Sequence, residues 1–329
     1  MKKVIAFLLC ALMTVSMFAG CTPADGGPGK NTYNLKTVKE GYLTVITSPD
    51  YAPYEFYALD ANKNPTLAGF DMALAKYIAD YLGLTLEVIP MDFNGIIGEM
   101  GAGKADLALA GLSPDPKRLE KMDFSDCYYE GKQAFITTKA NAEKFTDLAS
   151  TNSADFTIAA QSGTIQMDLA NEFSPNAEIV TLTKATDIIT ELLSGQLDGA
   201  YVEWDVAESY QKNYEDLQIV CEVPYDAEGN VIGVKKGNAD LLKYVNEALN
   251  KCVSEGTFAK YLEEANNAAA GDNYQGMLDE DGNVPTEAPT DAPTEAPTES
   301  AGAPTEGVLD GGADIEVDAS AETTAPAAA

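Results

Sequence analysis

Residues 110–126, AGLSPDPKRLEKMDFSD, carry the side chains best suited to hold a small charged molecule. They follow an apolar run, Leu107-Ala108-Leu109-Ala110, that reads as a buried strand reaching its carboxyl end, where open α/β sheets bind ligands. There Gly111 leaves the backbone bare and Ser113 offers a hydroxyl. Asp115 followed by Pro116 predicts a helix start, with an acid at the cap and proline at the first helical position. Arg118 then falls in the first turn. The helix macrodipole disfavours a cation at this end, so the guanidinium is expected to answer an anion, and a carboxylate is the natural one.

Two other stretches offer related chemistry. Residues 161–166, Gln-Ser-Gly-Thr-Ile-Gln, set a glycine and the hydroxyl of Thr164 ahead of a helix, where exposed N–H groups can hold a carboxylate. A plain helix cap is the alternative, and only the company of Arg118 argues for more. Glu203 ends a strand; an acid there either faces a site or is simply solvated. Residues 48–56, SPDYAPYEF, read as a loop with three aromatics between prolines, of which Tyr54 and Phe56 are expected in the core.

These residues need elements to position them. The β-branched run 43–47 reads as a strand, and Phe70, Leu74, Tyr77, Ile78, Tyr81 and Leu82 fall at helical spacing until Gly83 stops them. A strand at 84–89 and a short helix follow. Later come strands at 156–161, 197–202, 217–223 and 231–234, and helices at 185–194, 238–255 and 257–269. Such alternation predicts an α/β fold with mainly parallel sheets.

Composition narrows the function. The 329 residues contain no histidine, which removes Ser-His-Asp and Cys-His nucleophile arrangements and every histidine-ligated zinc site. No metal or cofactor is expected. Of the net charge of -31, residues from Asp272 onward contribute fourteen acids and no base. The remainder stays strongly acidic, which argues against nucleic acid or an anionic membrane surface as a partner.

The motifs GFDMALAKYIADYLG, PMDFNGIIGEM, ADLALAGLSPDPKR and MDFSDCYYEG occur in that order and spacing. Over residues 41–262 the chain resembles the polar amino-acid-binding proteins of ABC importers, the bacterial extracellular solute-binding proteins of family 3. The resemblance implies a type II periplasmic-binding-protein-like fold, two lobes joined by two crossover strands, with lobe 1 at 41–130 and 226–270 and lobe 2 at 131–225. It also implies the site: Arg118 forking the ligand's α-carboxylate, backbone groups at Ala110, Gly111 and Thr164 adding hydrogen bonds with Ser113 close by, and Glu203 holding the ammonium. Tyr51 and Phe93 match rings that enclose the side chain, though Phe93 reads equally well as core. Ser48 stands where several binders of cationic amino acids carry an aspartate. That departure argues against a preference for Arg, Lys or His. Ala110-Gly111 with Phe93 leans toward glutamine or another neutral polar side chain, while the acidic body leaves a cationic ligand open. Family members often end in an aromatic close that this chain lacks.

The termini have their own signals. Lys2 and Lys3 precede an apolar run to Phe18, too short for a comfortable membrane span, and Ala19-Gly20-Cys21 follows. Residues 1–20 resemble a lipoprotein signal peptide, with Cys21 the expected lipidation site and anchor on the outer face of the cell membrane. A plain secretory signal is the alternative. Residues 21–40 read as a flexible tether, and 271–329, with a PTEAPTDAPTEAPTE repeat, as a disordered acidic tail. Cys127, Cys221 and Cys252 are expected as three separate buried thiols.

Four functions compete. One is a receptor that delivers a polar amino acid to an ABC permease and ATPase; another is a sensor subunit binding the same ligand. An enzyme resembling cyclohexadienyl dehydratase would need a proton donor at the leaving group, and no histidine or spare acid is evident. A surface structural protein has only the tail in its support.

Overall fold

The chain begins its first sheet with β1 (Tyr42–Thr47), whose last five residues are all buried. In this computed structural model residues 27–60, 62–225 and 229–271 are described. A small three-stranded sheet follows, formed by β2 (Asp50–Tyr51), β3 (Glu55–Leu59) and β4 (Pro65–Ala68). Next come α1 (Phe70–Leu82), β5 (Thr85–Pro90), α2 (Phe93–Gly101), β6 (Leu107–Ala108), the single turn α3 (Pro116–Leu119) and β7 (Met122–Tyr129). The chain then enters a second sheet through β8 (Gln133–Thr138), β9 (Thr157–Gln161), α4 (Ile165–Phe173), β10 (Glu178–Leu182), α5 (Ala185–Ser194), β11 (Gly199–Glu203), α6 (Trp204–Asn213) and β12 (Leu217–Val223). It returns to the first sheet with β13 (Asn230–Lys235) and ends in α7 (Ala239–Ser254) and α8 (Thr257–Ala268).

The two large sheets share one pattern, β5-β1-β6-β13-β7 in the first and β10-β9-β11-β8-β12 in the second. In each, three strands run parallel with helical crossovers and two join antiparallel. Four strands of each sheet thus run the same way and one is reversed, β13 in the first sheet and β8 in the second, the strands that enter each sheet directly from the other. The carboxyl ends of the parallel strands β1, β6, β9 and β11 all open on the space between the sheets, where backbone groups are left without ladder partners.

Packing rather than capping holds α1. Phe70, Met72, Leu74, Ala75, Ile78, Ala79 and Leu82 form the buried face of α1, while its N-cap, Gly69, has no side chain to offer. Leu74 is fully buried, so its truncation to alanine would cost about 2–5 kcal/mol, more than any cap contributes. Strand β8 has the same kind of support, with all six of its residues buried.

Several expectations are corrected. Residues 48–56 are not simply a loop, since Asp50–Tyr51 pairs antiparallel with Glu55–Phe56; two paired residues are too short a signal to read from sequence. Within the expected tether, residues 27–40 lie against the body: Leu35 is buried, Tyr33 stacks on Tyr244 at 4.1 Å, and the Asn31 and Thr32 N–H groups donate to Gly83 and Leu82. Apolar residues spaced without a regular period gave no sign of this. Cys252 is the buried one of the three cysteines, as expected, but Cys127 is exposed and Cys221 intermediate. The signal peptide, Cys21, the tail from residue 272 and residues 226–228 of the return crossover lie outside the described residues. Among the described residues no helix is long and apolar enough to cross a membrane.

Candidate functional site

Arg118 sits on α3, whose start is fixed by the Asp115 carboxylate accepting from the Lys117 N–H at 2.6 Å and by Pro116 at the first position. The side chain is only 6 % exposed. Its Nη1 donates to the Ser113 carbonyl at 2.9 Å and its Nη2 to the Gly163 carbonyl at 3.2 Å, while the guanidinium lies over the Phe93 ring at 5.6 Å. Gly163 belongs to the second sheet's side of the cleft, so this bond spans it. Among the described residues Arg118 forms no ion pair within 4.0 Å. Burial lowers its pKa from the usual arginine value, with Asp115 opposing, yet a guanidinium stays charged.

Glu203 faces the same space from the end of β11. It is 2 % exposed; Oε2 accepts from the Val206 N–H at 3.0 Å, capping α6, and Oε1 accepts from the Lys132 N–H at 3.3 Å. It too has no ion pair among the described residues. Burial, with Asp205 adding repulsion, pushes its carboxyl up to about 8. The crossover residue Gly131 is needed beside it, because a Cβ there would lie 2.7 Å from Asn230 Oδ1 and 3.2 Å from Glu203 Oε1.

Tyr51 and Phe93 supply apolar walls. Gly111 has φ +55°, a left-handed conformation, and a Cβ on it would come within 3.2 Å of the Tyr51 ring. Its N–H donates to Asp71 Oδ2 at 3.0 Å and its carbonyl accepts from Asn230 Nδ2 at 2.9 Å. The expected backbone donor at Gly111 is therefore spent within the protein, and the residue's contribution is a thin, rigid wall. Thr164 is the N-cap of α4, but its hydroxyl donates back to the Gln161 carbonyl at 2.7 Å. Across the cleft, Gln166 Nε2 reaches the Tyr51 hydroxyl at 3.1 Å and Gln133 Oε1 at 2.7 Å.

One cavity gathers these groups: Tyr51, Phe93, Ala110, Gly111, Ser113, Arg118, Thr164 and Glu203 all line it, with Gln133, Gln161, Ile165 and Gln166. Its walls close to within about 10 Å³ of free space. A buried cation and a buried acid, neither neutralised by the other, bound a small space with aromatic walls. The two charges suit a zwitterion, and since about 10 Å³ holds no more than about one water, a ligand enters only as the walls part.

The profile of the bacterial extracellular solute-binding proteins, family 3, matches residues 43–266. The chain belongs to this family. The arginine-binding extracellular protein ArtP of Bacillus subtilis strain 168 is 30 % identical over 266 residues, 79 % of this chain and 96 % of ArtP. The ABC transporter glutamine-binding protein GlnH of the same organism is 28 % identical over 275 residues, 78 % of this chain and 95 % of GlnH. Among solved structures, the amino acid ABC transporter substrate-binding protein AbpA of Streptococcus pneumoniae Canada MDR_19A, bound to L-arginine, superposes with a TM-score of 0.67 at 31 % identity, covering 70 % of this chain and 96 % of AbpA. The fold is that of the type II periplasmic binding proteins, and this family-3 protein is an amino-acid substrate-binding protein of the ABC transporter class rather than an enzyme.

For this family-3 protein, eight of the nine ligand residues read from the sequence share the cavity, and Ser48 does not. Ser48 lines a second cavity of about 290 Å³, where its hydroxyl donates to Asp50 Oδ1 at 2.7 Å. Four lining residues were missed. Gln161, Ile165 and Gln166 lie within the Gln-Ser-Gly-Thr-Ile-Gln stretch, so proximity to Thr164 could have found them. Gln133 carries no such sign; it reaches the site only because it pairs with Glu203 between β8 and β11.

Proposed function

We propose that this protein is an exported, lipid-anchored receptor that captures a polar L-amino acid between its lobes and hands it, lobes closed, to an ABC permease. The observation that carries the ligand reading is Arg118, a buried guanidinium with no counter-anion among the described residues. A buried unpaired charge costs several kcal/mol, and a ligand α-carboxylate would repay it through a bidentate fork. Glu203 would take the ammonium, and Tyr51 and Phe93 would enclose the side chain. The cavity lining holds one cation and one acid, which the two charges of a zwitterion match. Gln133 and Gln166 then offer amides to a neutral polar side chain, favouring a glutamine-like ligand. A cationic ligand is the second reading, favoured by the arginine in the names of ArtP and of the AbpA complex. Anchoring rests on Cys21 after the apolar leader, and permease delivery on the family. Thermal-shift titration with the twenty amino acids tests the reading, because a ligand at a hundred times its Kd stabilises by about 2.7 kcal/mol. A melting temperature unmoved by all twenty would overturn it.

A further inference from the structure

Asp50 is a second buried charge in the cleft, and its surroundings differ from those of Arg118. It is 8 % exposed and belongs to the small sheet of the first lobe, in the pair Asp50↔Phe56. Its Oδ2 accepts from the Ala185 N–H at 2.6 Å and from Gln161 Nε2 at 3.0 Å, and its backbone carbonyl accepts from the Tyr210 hydroxyl at 3.1 Å. All three donors come from the second lobe. Ser48 holds Oδ1 at 2.7 Å, and Gln161 is itself steadied by the Thr183 carbonyl at 3.0 Å. Ala185 is the first residue of α5, so the carboxylate occupies the amino end of a ten-residue helix in the other lobe, where the macrodipole favours an anion. Lys184, the residue before, adds attraction.

Asp50 is not among the residues lining the ligand cavity; it lines the adjoining one with Lys184 and Thr186. Of its second-lobe donors only Gln161 lines the ligand cavity, so a ligand there leaves the Ala185 and Tyr210 bonds in place. The bonds Arg118 to Gly163 and Tyr51 to Gln166 also span the cleft, but they use groups the ligand is to occupy. From this contrast we propose that Asp50 is an interlobe latch, a positioning residue that closes the lobes by capping α5 and sets how much of the protein is closed. The apparent Kd is the intrinsic Kd divided by the competent fraction, so a weakened latch lowers affinity for every ligand by the same factor.

The proposal rests on the amino-acid reading only for its affinity arm. Asp50→Ala should raise the Kd for L-glutamine and L-arginine, measured by calorimetry, by one common factor of roughly ten, the scale of a lost hydrogen bond to a charged group. The ligand-free variant should show a larger radius of gyration in small-angle scattering. Ala185→Pro removes the N–H from the other side and leaves Asp50 intact. Proline suits the first helical position, and Lys184 before it has φ -116° and ψ 141°, which a following proline accepts. It should reproduce both effects, and the double variant should be no worse than either alone. An unchanged radius in both single variants, or effects that simply add, would overturn the latch. If the wild type binds neither amino acid, the ligand reading fails, and the scattering comparison still decides the latch.

Discussion

Arg118 and Asp50 are buried to nearly the same degree on the first lobe's wall of the cleft, yet their charges are met differently. Arg118 donates to two neutral carbonyls and meets no anion within ion-pair distance among the described residues; Asp50 is met by a hydroxyl, an amide and a helix amino end. The difference separates two uses of buried charge. A charge left without its counter-charge stores affinity for a ligand, whereas a charge satisfied by the opposite lobe stores closure. Arginine keeps its charge whatever its burial, so it cannot relieve the cost by losing a proton. Asp50 can, and burial raises its pKa to about 6 even against the Ser48 and Ala185 hydrogen bonds.

The largest test of this contrast is Arg118→Ala. Removing one partner of a desolvated charge pair costs about 2–5 kcal/mol, so calorimetry should show affinity falling by that amount. The ligand-free melting temperature should stay or rise, because the cost of burying an unpaired charge offsets the two hydrogen bonds Arg118 makes to Ser113 and Gly163. A protein that unfolds instead would make Arg118 structural.

Glu203 comes next. Its carboxyl, raised to about 8, is mostly protonated in the empty site at pH 7, and a ligand ammonium would favour the anion. Binding should therefore release up to about one proton, and affinity should rise with pH up to about 8 and level off above it. Calorimetry in buffers of different ionisation enthalpy measures that proton. Glu203→Gln should abolish the release and weaken amino acids more than their deaminated analogues. Equal losses for both would break the assignment.

In the folded protein alone the sign is opposite. Glu203 and Asp71 have raised pKa values, so the stability they contribute is full below their unfolded values and lost as pH rises through about 6 for Asp71 and about 8 for Glu203. Melting temperature without ligand should fall across that window while affinity climbs. A parallel rise of both would show that the acids titrate elsewhere.

Gly111→Ala sharpens the comparison at a residue with no charge. Left-handed φ costs a non-glycine residue about 1–2 kcal/mol, and the new Cβ would press on Tyr51, so affinity should drop about tenfold or less. An unchanged Kd would show that the wall is not in contact with the ligand. The smallest effect is expected from Cys21→Ala, which should leave the Kd as it is and move the protein from the membrane to the soluble fraction. Retention on membranes would remove the lipid anchor from the proposal.

Arg118 was legible because a cation in the first turn of a helix, just after an apolar strand, contradicts local preference and so calls for another cause. Helices α1, α5 and α7 were legible from apolar spacing, which any single element reveals about itself. Asp50 carried no such contradiction: it fell within the stretch 48–56 that read as a loop, and its partners Gln161 and Ala185 lie more than a hundred positions away. Gln133 was hidden for the same reason, since only the β8–β11 register brings it to Glu203. The sequence by itself determined the helices, the strand runs and the anion-seeking arginine, because these depend on contacts within a few residues. The tertiary structure alone decided which polar groups meet across the cleft, that Gly111 spends its N–H on Asp71, and that each sheet carries one reversed strand, β13 or β8. Those outcomes depend on strand register and lobe closure, which bring together residues whose local sequences say nothing of one another.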